Sequence, residues 1–144
     1  MHWLVSSANP DDVTRFEVRA RYTQRLVLTR AVCRELGHAT LDDVVGEPAR
    51  EALRLLTTWI HSAYGLPEDR GVDYRHGLDD PQLDEYGSDL KPELELGTEV
   101  CAAMFMVFTA DKDWELKSDV RHLQRKLEAY RDAYPTDSGS NREP

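Results

Sequence analysis

The stretch DKDWELKSDVRHLQRKLEAYRDAY, residues 111–134, carries the most regular apolar pattern in the sequence. Its large apolar side chains recur at intervals of four, three, four, three and four residues, which is a heptad spacing. They are Leu116, Val120, Leu123, Leu127, Tyr130 and Tyr134. The pattern predicts a long helix, ended by Pro135, with one face made to pack on another helix. We favour a packing partner in the same chain. The alternative is a surface for another protein or a second copy, made by Leu116, Val120, Leu123, Leu127 and Tyr130.

Working back along the chain, the strongest start signal for a helix is Asn9 followed by Pro10 and two aspartates, and Gly37 is the matching stop. This predicts a helix that runs to Leu36. Two apolar stripes lie on its helical wheel, so we expect a helix sandwiched between others. One stripe holds Val13, Phe16, Ala20, Val27 and Ala31, and the other holds Tyr22, Leu26, Cys33 and Leu36.

Two further segments read as helices. Thr40 is a cap for a short turn through LDDVV, and EPAREALRLLTTWIHSAY, residues 47–64, is strongly amphipathic and stops at Gly65. Arg50, Arg54 and His61 are expected together on its polar face. VCAAMFMVF, residues 100–108, is apolar all round and predicts a buried helix that starts near Pro92.

These segments predict an all-α protein, a compact bundle of four to five helices with a long acidic irregular insertion. Residues 1–135 would form a single helical domain, the insertion would cover about 65–97, and the polar tail 136–144 would be disordered.

The net charge is −9, and residues 65–100 supply most of it, with eleven acidic residues against three basic ones. Such a surface repels phosphate backbones and makes nucleic-acid binding an improbable main activity. No apolar run is long enough to span a membrane and no secretion signal is visible, so we expect a cytoplasmic protein. Cys33 and Cys101 have no ligand-spaced companions and predict buried, reduced thiols; we expect no cofactor.

The acids concentrate in DDPQLDEYGSD, residues 79–89, where Asp80 and Gly87 can cap and stop a short helix. The DDxxxD spacing of Asp79, Asp80 and Asp84 resembles the acidic metal motif of terpene synthases, which implies Mg²⁺ bound through carboxylates. That resemblance covers six residues, the chain is too short for the terpene synthase fold, and no second metal motif is present; we therefore predict no metal. We predict instead that this loop contacts a protein partner with a basic surface, through Asp79, Asp80, Asp84, Glu85, Tyr86 and Asp89.

Arg54 and His61 are spaced R-x6-H within a helix, which resembles the ribonuclease motif of HEPN domains. The resemblance covers one helix and implies cleavage of an RNA phosphodiester in a site completed by a homodimer. Leu55 stands where that family commonly has a polar residue.

A basic set, Arg15, Arg19 and Arg30, shares one side of the first helix. We favour pairs within the helix, such as Arg15 with Asp11 or Asp12. The alternatives are docking of the chain's own acids, of a partner, or of phosphate.

No HExxH, GxSxG, Walker or glycine-rich dinucleotide motif is present. The sequence therefore favours a non-enzymatic interaction or regulatory module, such as an accessory subunit, an inhibitor or an immunity-type protein. It would use the acidic surface and the C-terminal helix seam. The alternative is a HEPN-like homodimeric ribonuclease.

Overall fold

The computed structural model describes residues 9–69 and 71–135. Helix α1 spans Pro10–Glu35, and the side chain of Asn9 accepts a hydrogen bond from the Asp11 amide at 2.8 Å. Pro10 occupies the first turn, where a missing N–H costs nothing. At the other end Gly37 has a positive φ of 58°, a conformation that glycine adopts without steric cost. The predicted start and stop of this helix are therefore correct.

Five more helices follow within the described residues. They are α2 (Leu41–Val45), α3 (Glu47–Tyr64), α4 (Pro81–Tyr86), α5 (Lys91–Phe108) and α6 (Asp113–Ala133). Thr40 and Asp43 form a capping box at α2, Gly65 ends α3 with a φ of 64°, and Asp80 caps α4. Within the described ranges the chain is 75% helical, has no strand and is compact, which confirms the all-helical prediction.

Helix α1 is the element on which the others assemble, because α3, α4 and α5 all contact it. One face of α1 is buried in these contacts, and it carries Val18, Tyr22, Arg25, Leu26, Thr29, Val32 and Cys33. The predicted stripe that contains Phe16 and Val27, by contrast, lies largely in solvent: Phe16 is 74% exposed and Val27 55% exposed. The prediction of a helix sandwiched on two sides is wrong, since α3, α4 and α5 cover the face with the predicted stripe of Tyr22, Leu26 and Cys33 and leave Phe16 and Val27 exposed.

Helices α5 and α6 form an antiparallel hairpin. Lys126 Nζ lies 2.6 Å from Glu99 Oε1, and one turn further along α6 the Tyr130 hydroxyl donates to Glu93 Oε2 at 2.7 Å. The heptad seam of α6 faces α5 and the core. Leu123, Leu127 and Tyr130 are buried, and the partly buried Leu116, Val120 and Tyr134 pack against the core. In this arrangement the seam finds its partner inside the chain.

At Gly97 helices α1 and α5 lie close together. A β-carbon built at Gly97 would lie 2.4 Å from Thr29 Cγ2, so no larger residue fits without movement. This explains why a glycine is tolerated inside a helix that it would otherwise weaken.

Helix α5 itself departs from expectation at its C-terminal end. Val100, Cys101, Ala103, Met104 and Val107 are buried, but Phe105, Met106 and Phe108 are exposed, so the segment is a helix without being buried all round. None of the helices in the described ranges combines the length and hydropathy needed to cross a membrane. The tail predicted to be disordered, 136–144, lies outside the described residues.

Candidate functional site

Arginines on α1 contact the acidic segment, residues 79–89. The Arg19 guanidinium binds both carboxylate oxygens of Asp89, at 2.7 and 3.0 Å, and also donates to the Tyr86 carbonyl at 3.0 Å. Arg15 lies over the Tyr86 ring, 5.6 Å from its centroid. The favoured prediction of pairs within the helix, such as Arg15 with Asp11, is therefore wrong. For Arg19 the alternative prediction, binding to the chain's own acids, is correct. Its partner Asp89 lies 70 residues later in the sequence and comes within reach only after the chain folds back onto α1.

Arg30 completes this set at the junction of three helices. It binds both carboxylate oxygens of Glu93 in α5 at 2.7 Å, and Glu93 also accepts from the Tyr130 hydroxyl of α6. Hydrogen bonds from Arg30 lower the pKa of the largely buried Glu93 carboxyl despite its desolvation. One carboxylate thus ties α1, α5 and α6 together.

The loop between α3 and α4 is held by a buried arginine. Arg25 is 1% exposed, and its guanidinium donates to the backbone carbonyls of Tyr74 and His76 and, at 3.5 Å, to the Tyr64 hydroxyl. The ionic contacts of the described residues include no carboxylate on Arg25. Carbonyl dipoles take the place of a counter-ion, so the segment predicted to be an irregular insertion is anchored at its centre.

A tyrosine fixes the end of the same loop. The Tyr22 hydroxyl lies 2.9 Å from the Gly77 carbonyl and 3.0 Å from Asp80 Oδ2, and burial raises the pKa of this phenol. Gly77 has a φ of 87°, and a β-carbon there would lie 2.3 Å from the Tyr64 hydroxyl oxygen. Glycine avoids the strain that any other residue would have at this φ, and a side chain here would also displace Tyr64.

Anchored in this way, residues 73–80 form one wall of an open groove of about 1060 Å³, and the first half of α5 forms the other. Its carboxylates outnumber its fixed cations by five to two. The acids are Asp73, Asp79, Asp80, Glu95 and Glu99, the cations are Arg75 and Lys91, and His76 also lines the groove. Tyr64, Leu78 and Leu96 add an apolar part to the lining.

The carboxylates of the groove are not equally free to bind a ligand. Asp80 caps α4, Asp73 accepts from the Arg75 amide at 3.0 Å, and Glu99 pairs with Lys126. Asp79 and Glu95 have no hydrogen bond or ion pair from their side chains among residues 9–69 and 71–135. The hydrogen bond to Asp84 raises the pKa of Lys91, and the negative charges of Glu95 and Asp79 raise it further. The groove is therefore electronegative around its one lysine.

The structure separates the residues that the sequence analysis assigned to the acidic contact surface. Asp79 and Asp80 line the groove, whereas Glu85, Tyr86 and Asp89 do not, and Asp84 reaches it only through its ion pair with Lys91 at 2.6 Å. Sequence reasoning missed Asp73, Glu95 and Glu99. The signal available was the excess of acids over residues 65–100, which gives the segment but not the side chains that meet.

The DDxxxD spacing does not produce a cluster of ligands. Asp80 caps α4 and accepts from Tyr22, and Asp84 turns to Lys91. Among the residues that the structure describes, no three histidine, cysteine or acidic side chains are grouped to hold a metal ion. Cys33 and Cys101 are buried and free, and burial raises the pKa of the Cys33 thiol to about 12.

Arg54 and His61 occupy different environments on α3. Arg54 is exposed and its guanidinium is held by Glu51, whereas His61 is 7% exposed, and its buried Nε2 has no hydrogen-bond partner among the described residues. The expectation that His61 shares the polar face with Arg50 and Arg54 is wrong, because the apolar contacts of α3 extend around to it. The HEPN-like assignment stays a prediction, and RNA cleavage that is lost in His61→Ala is its test.

Comparison with protein-family models, with curated proteins and with solved structures finds no match to this chain.

Proposed function

We propose that this chain is a non-enzymatic protein-interaction module that binds a lysine- or arginine-containing segment of a partner protein in the groove between residues 73–80 and α5. The observation that carries the proposal is the pair Asp79 and Glu95: both line the groove, and neither carboxylate is engaged elsewhere in the described chain. A carboxylate without a partner loses little by accepting a cation, because no existing ion pair has to break first.

The apolar part of the lining supports the same kind of ligand. Lysine and arginine side chains bury their methylene stems on apolar surface while the charged head stays at a polar rim. Tyr64, Leu78 and Leu96 offer such surface beside the carboxylates. Anchoring of the loop by Arg25 and Tyr22 also favours binding, since a wall that is already ordered does not have to be ordered by the ligand.

The remaining acids of the sequence-based site have a different part in this proposal. Asp89 and Asp84 hold the segment in place through Arg19 and Lys91 and leave little charge to offer a partner. The buried seam of α6 is likewise structural, so the contact with the partner is assigned to the groove alone.

The experiment compares a fluorescent peptide that alternates lysine with leucine and one that alternates glutamate with leucine, titrated with the protein at low and moderate salt. We expect binding of the lysine peptide only, weakened by salt. The double variant Asp79→Asn/Glu95→Gln should weaken it roughly fivefold to tenfold, as expected for two charged contacts at a rim.

The matched control is Asp119→Asn/Glu128→Gln, which removes the same charge from α6, outside the groove lining. Equal weakening by the two double variants would mean that net charge attracts the peptide and would refute the groove. Failure of the lysine peptide to bind at low salt would refute the proposed function altogether.

A further inference from the structure

The exposed stripe of α1 is a second surface, distinct from the groove. Phe16 is 74% exposed and Val27 55% exposed, Val13 is also exposed, and the small residues Ala20 and Thr23 lie in solvent between them. Their positions advance by three, four, three and four residues, which is the spacing of a helix–helix seam. The same spacing occurs on α6, where it packs inside the chain. On α1 no helix of the described residues packs on it.

Nothing in the described chain is left to cover this seam. Helices α3, α4 and α5 bury the face of α1 that carries Val18, Tyr22 and Leu26, and α6 reaches α1 through the hydrogen bond from Arg131 to the Cys33 carbonyl. An exposed phenylalanine set in a helical row of apolar residues is typical of a surface that another helix covers.

The charges along α1 indicate which helix fits. The first turn carries Asp11 and Asp12. The last third carries Arg30, which binds Glu93 but keeps 55% of its side chain exposed, and Arg34, which is 70% exposed and lies 3.4 Å from its neighbour Glu35. A second copy of α1 laid antiparallel brings the acidic start of each helix beside the basic end of the other. A parallel copy would instead place like charges together at both ends, which opposes association.

The antiparallel arrangement also matches side-chain size. In the register that pairs Phe16 with Val27 of the second copy, Ala20 lies against Thr23, and twofold symmetry repeats both pairs. The small residues fall at the centre, where they let the two helices approach, and the large ones fall on either side of it.

We propose that this chain forms a twofold symmetric homodimer in which the exposed faces of the two α1 helices pack antiparallel. The surface is separate from the groove, so a dimer would present two grooves, and the proposal does not depend on what the grooves bind.

The first test is the molar mass in solution, measured by light scattering after size-exclusion chromatography and by sedimentation equilibrium. We expect a dimer for the natural sequence and a monomer for Phe16→Lys and for Val27→Lys. Because both side chains are already exposed in the single chain, the helical circular dichroism of the monomeric variants should be retained.

The matched control is Trp114→Lys, which makes the same kind of change at a side chain that is 67% exposed but lies on α6. It should leave the dimer intact. A monomer for the natural sequence overturns the proposal, and so does a dimer that Trp114→Lys abolishes while Phe16→Lys does not.

The second test fixes the direction of the helices. Phe16→Cys and Val27→Cys are prepared as single variants and oxidised separately and as a mixture. In the proposed dimer only the mixture forms an intermolecular disulfide efficiently, because Phe16 and its symmetry mate are separated by about 16 Å along the helix axis. Efficient cross-linking of each variant with itself would show a parallel seam and overturn the antiparallel arrangement.

Discussion

Arg25 and Arg30 lie five residues apart on α1, and their guanidinium groups differ in burial and in the kind of partner they bind. Arg25 is buried and its guanidinium is surrounded by backbone carbonyls and a phenol, without a carboxylate among the described residues. Arg30 keeps 55% of its side chain exposed and binds Glu93, and it is the carboxylate, only 10% exposed, that is buried. In the first contact the arginine cannot return to water if its partners are lost, whereas in the second it can. The two contacts should therefore differ in strength and in their response to pH.

The largest effect is expected for Arg25→Ala. The substitution leaves the buried carbonyl of Tyr74 and the part-buried carbonyl of His76 without this donor and opens a cavity, so the free energy of unfolding should fall by about 4 kcal/mol. Urea denaturation followed by circular dichroism measures it. Arg21→Ala, an exposed position on the same helix, is the control and should change little. A loss for Arg25→Ala no greater than that of the control would show that the loop is not held by this contact.

Next in size is Gly97→Ala, which tests the crossing of α1 and α5 beside Glu93. The new methyl group would overlap Thr29 Cγ2, and overpacking of this kind should cost about 2 kcal/mol. The double variant Gly97→Ala/Thr29→Ser removes the opposing methyl and keeps the hydroxyl that donates to the Arg25 carbonyl, so it should regain most of the lost stability. Thermal and urea denaturation of the three proteins measures this. A double variant as unstable as the single one would contradict the steric explanation.

Glu93→Gln tests the second arginine directly and should cost about 1.5 kcal/mol at neutral pH, because Arg30 can be solvated again but the charged hydrogen bonds are lost. Urea denaturation measures this difference, and Glu95→Gln, on the exposed side of α5, is the control.

The same variant separates the two contacts by pH. The pKa of Glu93 is lowered in the folded chain from its ordinary value of 4.5, so its contribution is complete above that value and is lost as pH falls through the folded pKa. The stability difference between the natural sequence and Glu93→Gln should shrink on acidification, since the protonated carboxyl resembles the amide. The cost of Arg25→Ala should not follow it, because carbonyls do not titrate. A Glu93→Gln difference that stays constant down to the acid transition would contradict this account.

The smallest effect is expected for Asp89→Asn. The ion pair with Arg19 is well aligned, but both side chains are exposed, and exposed pairs contribute little after screening. The urea midpoint should be unchanged at moderate salt and fall only slightly at low salt. A large loss at moderate salt would mean that Arg19 anchors the acidic segment as firmly as Arg25 anchors the loop.

The helix boundaries were predictable because they depend on local chemistry. Asn9 with Pro10, Asp80 with Pro81, and Gly65 each act on backbone groups within one turn of themselves, so the sequence specifies them without knowledge of the fold. The heptad spacing on α6 is equally local, although the spacing alone left its partner open.

Burial and the groove could not be predicted in the same way. The wheel of α1 shows two apolar stripes, and only the position of α3, α4 and α5 decides which one is covered. In the sequence Arg25 looks like any other surface charge. Its partners are the carbonyls of Tyr74 and His76, 49 and 51 residues later, and only the fold brings them to it. Charge counting found the acidic segment, but the convergence of Asp79 with Glu95 depends on that same anchoring.

The central place of α1 has a consequence for synthesis of the chain from its N-terminus. Helix α1 is the first described element to leave the ribosome, yet Arg25 must wait for residues 49 and 51 positions later, and the Cys33 carbonyl waits for Arg131, 98 positions later. Until residues 74 and 76 have emerged, the nascent chain displays the apolar face of α1 and a guanidinium whose partners have not yet been made, and the Cys33 carbonyl stays without Arg131 until α6 has emerged. Packing of α1 is therefore completed only after later helices have been made, and its buried face stays exposed to solvent during that time.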